Sequence, residues 1–82
     1  MSTAYPPLPL NMISPGAKAR LVEIRGGQKL NKRLADLGLT TGEVVRLVQG
    51  GTSGPLIVAF KNDTRLALGH GVAQQIVVEL VD

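Results

Sequence analysis

One stretch of this sequence, Gln28–Leu37, has the periodicity of an α-helix, with leucines that recur at helical spacing and form one apolar stripe. Gly38 follows where a left-handed residue commonly ends a helix, and Leu39 is placed to fold back onto Leu34. A chain with a single short helix must build its core mainly from strands. The leucines of the stripe are Leu30, Leu34 and Leu37.

Short β-rich runs, separated by glycine-rich or polar turns, make up most of the remaining sequence. In the first run the apolar alternation slips at Leu21-Val22, after which Val22 and Ile24 form the inward apolar set. Either a β-bulge or a sharp coil of the strand is expected to take up this slip. The five predicted strands are Ala17–Arg25, Glu43–Gln49, Leu56–Lys61, Thr64–Leu68 and Ile76–Leu80.

The connections between these runs are short. Gly50–Pro55 is expected to be a hairpin loop, and Asn62-Asp63 a tight turn whose residues tolerate positive φ. Gly69–Gln75 is expected to be a short turn with 3₁₀ character. Short strands with such turns are typical of a small barrel.

The expected architecture is therefore mainly β: a small barrel of about five strands with one inserted α-helix and a short terminal 3₁₀ turn. Residues 1–9 are rich in proline and are expected to form a flexible N-terminal tail, which leaves residues 10–82 as the single domain.

Composition excludes several classes of protein. The 82 residues include no cysteine, so disulfide frameworks and thiolate metal sites are excluded. No apolar run approaches the length of a membrane span, and the N-terminus lacks the features of a signal peptide, so a cytoplasmic location without membrane insertion is expected. The net charge is +3, and Tyr5 and Phe60 are the only aromatic residues, so we expect no nucleic-acid partner.

No catalytic set is apparent, and we expect neither enzymatic activity nor a cofactor. The serines have no neighbouring base, the carboxylates are scattered along the chain, and the glycine-rich loop before Pro55 lacks the lysine of a phosphate-binding loop. His70 is the single histidine, so it is the candidate metal ligand, but one imidazole does not make a dedicated site.

Five segments, taken in order, resemble the motifs of the FeoA family. The resemblance extends from about Leu10 to Leu80, which is nearly the whole chain. The segments are Pro15-Gly16, Arg33-Leu34-Ala35-Asp36-Leu37-Gly38-Leu39-Thr40-Thr41-Gly42, Gly54-Pro55-Leu56-Ile57-Val58, Arg65-Leu66-Ala67-Leu68, and Ala73 with Ile76-Val77-Val78.

This resemblance implies an SH3-like barrel and a role in bacterial ferrous-iron uptake. It implies a partner, the membrane ferrous-iron permease, which carries a cytosolic GTPase domain. The same module is found in the family at the C-terminus of metal-dependent repressors, and a homo-oligomer is also compatible with the resemblance.

Protein–protein binding is the expected activity, because the chain lacks a catalytic set. Leu30 and Leu39 are expected to line a shallow groove, whereas Leu34 and Leu37 are expected to pack inside the barrel. The Gly50–Pro55 loop is a second possible contact surface. The polar and basic rim of the groove is predicted to consist of Asn31, Lys32, Arg33 and Arg65.

The resemblance, together with the lack of a catalytic set, implies a small cytosolic accessory of ferrous-iron uptake that acts by contact with the permease. The alternative is a metal-responsive regulatory module that binds Fe²⁺ or another divalent transition metal through His70 and loop carboxylates.

Overall fold

The computed structural model describes residues 6–50 and 54–81, which form a six-stranded antiparallel sheet, two helices and one 3₁₀ turn. The strand order in the sheet is β1-β6-β2-β3-β4-β5. The strands are β1 (Leu8–Pro9), β2 (Lys18–Ile24), β3 (Val44–Gln49), β4 (Leu56–Phe60), β5 (Thr64–Leu68) and β6 (Ile76–Leu80). The 3₁₀ turn is Leu10–Met12, and the helices are α1 (Gly27–Asp36) and α2 (His70–Gln74).

The predicted mainly β architecture is confirmed, with β2 to β6 in the places of the five predicted strands. The sheet differs from a fully closed barrel. Its two edge strands, β1 and β5, are not paired with each other within the described residues.

The sixth strand, β1, lies within the segment that was expected to be a tail. Leu8 pairs with Val78 and Pro9 with Val77, so regular structure begins before residue 10. Proline is compatible with this position because β1 is an edge strand and does not need every N–H for the ladder. Residues 1–5, the first part of the predicted tail, lie outside the described residues.

Of the two expected irregularities in β2, the structure has the bulge. Leu21 is opposite Val78 and Glu23 is opposite Val77, so Val22 is the extra residue. Val22 is exposed, whereas Ile24 is buried, so the expectation that both point inward is wrong for Val22. The bulge takes up the additional residue and keeps Leu21 and Ile24 on the core side.

The segment that was expected to be a 3₁₀ turn near the C-terminus forms the short helix α2. The N–H of Ala73 donates to the carbonyl of Gly69 at 2.9 Å, which is the i→i−4 spacing of an α-helix. Ala73 is buried, so packing of this side chain holds the turn against the core.

The turn between β4 and β5 includes residues 61–63, with positive φ at Lys61 (55°) and Asp63 (67°). Of the predicted Asn62-Asp63 pair, therefore, only Asp63 adopts the left-handed conformation. The tip of the predicted Gly50–Pro55 loop, residues 51–53, lies outside the described residues.

The core is aliphatic apart from Phe60, and no polar or charged residue is buried among the described residues. Its largest fully buried side chains come from the strands, from the 3₁₀ turn and from the residue that follows α1's C-terminal turn. They are Leu10, Leu21, Leu39, Leu47, Leu56, Val58, Ile76 and Val78.

The predicted end of α1 is confirmed as a Schellman motif. Gly38 has a φ of 92°, and its N–H donates to the carbonyl of Ala35 at 2.9 Å. The N–H of Leu39 donates to the carbonyl of Leu34 at 2.8 Å. These are the two hydrogen bonds that define the motif, and they turn the chain back under the helix.

This turn corrects the expected roles of two leucines. Leu39 is 1% exposed and belongs to the core, whereas Leu37 is 53% exposed. Residues of an α-helix are separated by about 100°, so Leu37 lies in line with Leu30 on the edge of the stripe, and Leu34 is turned further toward the core. Leu34 is buried, as expected.

Candidate partner-binding groove

A groove of about 200 Å³ lies between α1 and the edge strand β5. Its lining is mainly apolar, with one guanidinium at the rim. The lining residues are Leu30, Arg33, Leu34 and Leu37 from α1, Leu66, Ala67 and Leu68 from β5, and Gly69 and Val72.

Leu37 is the most exposed large apolar side chain in this groove. Leu30 is only partly buried and packs against the core, so it supports the wall beside Leu37. Arg33 lies on the outer side of the same helical face and is exposed. An apolar centre with a polar rim is typical of protein–protein contact surfaces, and arginine is enriched in them.

The second wall of the groove is the free edge of the sheet. Among the described residues β5 pairs with β4 alone, through the register from Phe60 opposite Thr64 to Leu56 opposite Leu68. An edge strand offers unpaired backbone N–H and C=O groups to an added strand. Thr64–Leu68 therefore provides backbone hydrogen-bonding groups beside an apolar slot.

The residues predicted to form one rim are divided between two sides of α1. Leu30 and Arg33 line the groove beside β5, but Asn31, Lys32 and Leu39 line a different depression of about 390 Å³ on the opposite side of the helix. Leu39 contributes only to the floor of that depression, because it is buried.

The side chain of Asn31 stabilises the start of α1 through hydrogen bonds to the backbone. Its Nδ2 donates to the carbonyl of Ile24 at 3.2 Å and to that of Gly27 at 2.8 Å. The side chain thus ties the end of β2 to the first turn of the helix. This turn has no side-chain N-cap, since Gly26, in a left-handed conformation, occupies the N-cap position.

Arg65 does not line the groove. It is exposed on β5 directly opposite Ala59 of β4, on the outer face of the sheet. The predicted groove residues that the structure brings together are therefore Leu30 and Arg33.

The sequence prediction missed Leu37, Leu66 and Val72 as lining residues. The angular position of Leu37, almost in line with Leu30, was a signal that could have identified it. For Leu66 and Val72, no local signal indicates that β5 and α2 pack beside this side of α1.

His70, the candidate metal ligand, is the first residue of α2 and is partly buried. Its Nε2 atom is buried and has no hydrogen-bond partner in the structure. Over residues 6–50 and 54–81, no three His, Cys, Asp or Glu side chains form a group that could hold a metal ion.

None of the helices in the described part of the chain is long and apolar enough to cross a membrane.

The fold is similar to several solved structures. A crystal structure of an iron uptake regulatory protein (FeoA) is 30% identical, with a TM-score of 0.84, and the match covers 93% of this chain and all of the other. The solution structure of the FeoA protein from Chlorobium tepidum is 22% identical, with a TM-score of 0.81, over 92% of this chain and 71% of that one.

A manganese-dependent transcriptional repressor, solved in complex with manganese, is also similar in fold. It is 20% identical, with a TM-score of 0.83, and the match covers 93% of this chain but only 37% of the repressor. Among curated proteins, no significant sequence match is found.

The family comparison agrees with the resemblance of the sequence motifs. The model of the FeoA domain matches residues 8–80, which include all six strands and both helices. The match also starts at β1, in agreement with the pairing of Leu8 and Pro9. On the strength of this match and of the 30% identical FeoA structure, the chain belongs to the FeoA domain family.

Proposed function

We propose that this chain is a cytoplasmic accessory protein of ferrous-iron uptake, which binds the cytosolic part of the membrane permease through the groove between α1 and β5. Membership of the FeoA family implies involvement in Fe²⁺ uptake, and the 30% identical relative is named an iron uptake regulatory protein. The proposed activity is contact rather than catalysis.

The observation that carries this proposal is the exposure of Leu37 beside the edge strand β5, which pairs only with β4 in the part of the chain that the structure describes. Leu37 is 53% exposed, so burying the rest of its side chain contributes about 1 kcal/mol to binding before ordering costs are subtracted, roughly half the value for a fully exposed leucine. The backbone groups of β5 add hydrogen bonds that do not depend on the partner's side chains. An extended segment of the partner, aligned along β5, would use both features.

The guanidinium of Arg33 defines the expected chemistry of that segment. Within the described residues Arg33 makes no ion pair, so it is free to meet a carboxylate at the rim of the groove. The segment should therefore carry an apolar side chain for the slot beside Leu37 and an acidic side chain near Arg33.

The test is calorimetric titration of the purified protein with the cytosolic domain of the ferrous-iron permease from the same organism. Leu37→Asp and Arg33→Glu should each weaken binding about tenfold or more, because they remove the apolar contact and invert the rim charge.

Two control variants make the same chemical changes elsewhere. Met12→Asp replaces another exposed apolar residue (67% exposed), and Lys32→Glu inverts a charge on the opposite side of α1. Both should bind like the wild type. If all four variants bind equally well, or if the wild type does not bind, the proposed surface is wrong.

A second copy of this chain is another possible occupant of an edge strand. Light scattering of the free protein distinguishes the two cases. A dimer that Leu37→Asp converts to a monomer would show that the groove serves self-association, and would contradict permease binding through it.

The alternative function, direct sensing of a divalent transition metal, has one supporting observation. The buried Nε2 of His70 has no hydrogen-bond partner in the structure, and this nitrogen could serve as a ligand to a metal ion. Anaerobic titration with Fe²⁺ or Mn²⁺ tests it: saturable micromolar binding that His70→Ala abolishes would favour this function over the contact function.

A further inference from the structure

Three basic side chains and one alanine form a straight row across the outer face of the sheet. In the strand register Lys18 is opposite Arg46, Arg46 is opposite Ala59, and Ala59 is opposite Arg65. Directly opposed residues of neighbouring strands lie on the same face of a sheet. The basic row, defined as Lys18, Arg46 and Arg65 with Ala59 between the two arginines, therefore crosses β2 to β5 on one face.

The row is electrostatically unfavourable for folding. Lys18 and Arg46 are like charges in directly opposed positions, which destabilises a sheet. Arg20 lies two residues after Lys18 on β2. It is opposite Glu79 of β6, and the two side chains form an ion pair at 3.2 Å. Within the described residues, no such ion pair is made by any member of the basic row.

The row also borders a depression of about 260 Å³. Lys18, Arg46 and Lys61 contribute three cations to its lining, with Asp63 as the single carboxylate. Ala59 is only 6% exposed, so it forms a floor between longer side chains. The exposed Val44 adds apolar surface at the same place. A basic rim thus surrounds a small apolar floor.

We propose that the basic row is a second binding site, which takes an acidic α-helical segment of a protein partner laid across the strands. Adjacent strands are about 4.8 Å apart, so Lys18 and Arg46 are separated by one strand spacing and Arg46 and Arg65 by two. Acidic side chains one turn apart on a helix are separated by about 5–6 Å. Carboxylates on successive turns of one helical face therefore match the spacing of the row.

The small side chain of Ala59 leaves room at the centre of the row for an apolar residue of that helix. Single-stranded nucleic acid is a poorer match, because the lining includes no exposed aromatic ring for stacking on bases, and a duplex is tested as a separate probe. Phe60, the aromatic residue of the lining, is 4% exposed.

This site lies on another face of the sheet from the groove beside Leu37 and uses different side chains, although Arg65 stands on β5. Its loss should therefore leave binding through the groove unchanged.

The experiment measures fluorescence anisotropy of labelled synthetic helical peptides added to the purified protein. One peptide carries Glu on successive turns of one face, a second carries Gln at the same positions, and a short duplex DNA is the third probe. The Glu peptide should bind, and its affinity should fall about tenfold or more between low and physiological salt or on substitution by Gln.

The variant set consists of Arg46→Glu, Lys18→Glu and the control Lys32→Glu, which changes the net charge equally but lies on α1. Arg46→Glu and Lys18→Glu should weaken binding of the Glu peptide about tenfold or more, and Lys32→Glu should change it less than about twofold. Equal losses in all three variants would mean that net charge alone is responsible, and would overturn the proposal. Absence of binding by the Glu peptide, or tighter binding of the duplex at the same salt, would also overturn it.

A stability measurement shows whether a variant loses binding because it unfolds or because the site has changed. Either substitution places opposite charges across β2 and β3, so the urea midpoints of Arg46→Glu and Lys18→Glu should rise above that of the wild type. Higher stability together with weaker peptide binding would support the proposal, because it would show that the two cations favour binding while they lower the stability of the fold. If both midpoints fall, the repulsion argument is wrong and the proposal fails with it.

Discussion

The backbone N–H of Leu39 donates to the carbonyl of Leu34 at 2.8 Å, and this one contact determines which leucines of the helix region serve the core. By turning the chain back under α1, it buries Leu39 and leaves Leu37 exposed in the groove beside β5. The end of the helix therefore separates a leucine used for folding from a leucine available to a partner.

The turn at Gly38 should tolerate no side chain without loss of stability. Its φ is 92°, a conformation that costs an L-residue about 1–2 kcal/mol, so Gly38→Ala should lower the free energy of unfolding by that amount. Urea denaturation measures the change. Gly71→Ala is the matched control, since Gly71 lies in α2 with nothing within 4 Å of an added Cβ. Alanine there should be neutral or stabilising. Equal destabilisation by both substitutions would contradict the role assigned to the left-handed turn.

Truncation of the two leucines on either side of Gly38 should change stability by very different amounts. Leu39→Ala removes a buried side chain and should cost about 2–5 kcal/mol of unfolding free energy. Leu37→Ala should change it by no more than about 0.5 kcal/mol, because that side chain is half exposed. Thermal or chemical denaturation of the pair measures the contrast. Similar costs for both would mean that Leu37 packs into the core.

Asn31 should matter for stability rather than for partner binding. Asn31→Ala removes one hydrogen bond to the last residue of β2 and one to the first residue of α1. Alanine's better helix propensity offsets part of the loss, so a net cost of about 1 kcal/mol is expected. The neighbouring substitution Lys32→Ala removes no such bond and serves as the control. Comparison of their urea midpoints measures the difference, and equal midpoints would show that these bonds contribute nothing net.

Much of the fold could be predicted from the sequence, because local periodicity and turn chemistry agree along most of the chain. Thr64–Leu68 and Ile76–Leu80 have the predicted bounds, and the irregularity near Val22 follows from one break in alternation. β1 could not be predicted in this way. It is only two residues long, includes a proline, and is defined by pairing with β6 at the far end of the chain.

The candidate site was less predictable for a related reason. Helical spacing places Leu30, Leu34 and Leu37 on one stripe, but it does not indicate which flank of the stripe β5 and α2 cover. The flank that is covered depends on long-range packing. The same packing places Arg33 in the groove and Lys32 in the depression on the other side of α1, and it places Arg65 on the outer face of the sheet. The side chains suitable for contact were visible in the sequence, whereas their grouping into surfaces was not.

The most direct test of the proposed contact function is a nuclear magnetic resonance titration of the ¹⁵N-labelled protein with the permease's cytosolic domain. The largest chemical-shift changes should occur at the backbone amides of β5 and at Leu30, Arg33 and Leu37 of the α1 region. Amide hydrogens on the free edge of β5 should also exchange more slowly in the complex, because an added strand would occupy their unpaired positions. Shift changes confined to other surfaces, with β5 unaffected, would contradict the account.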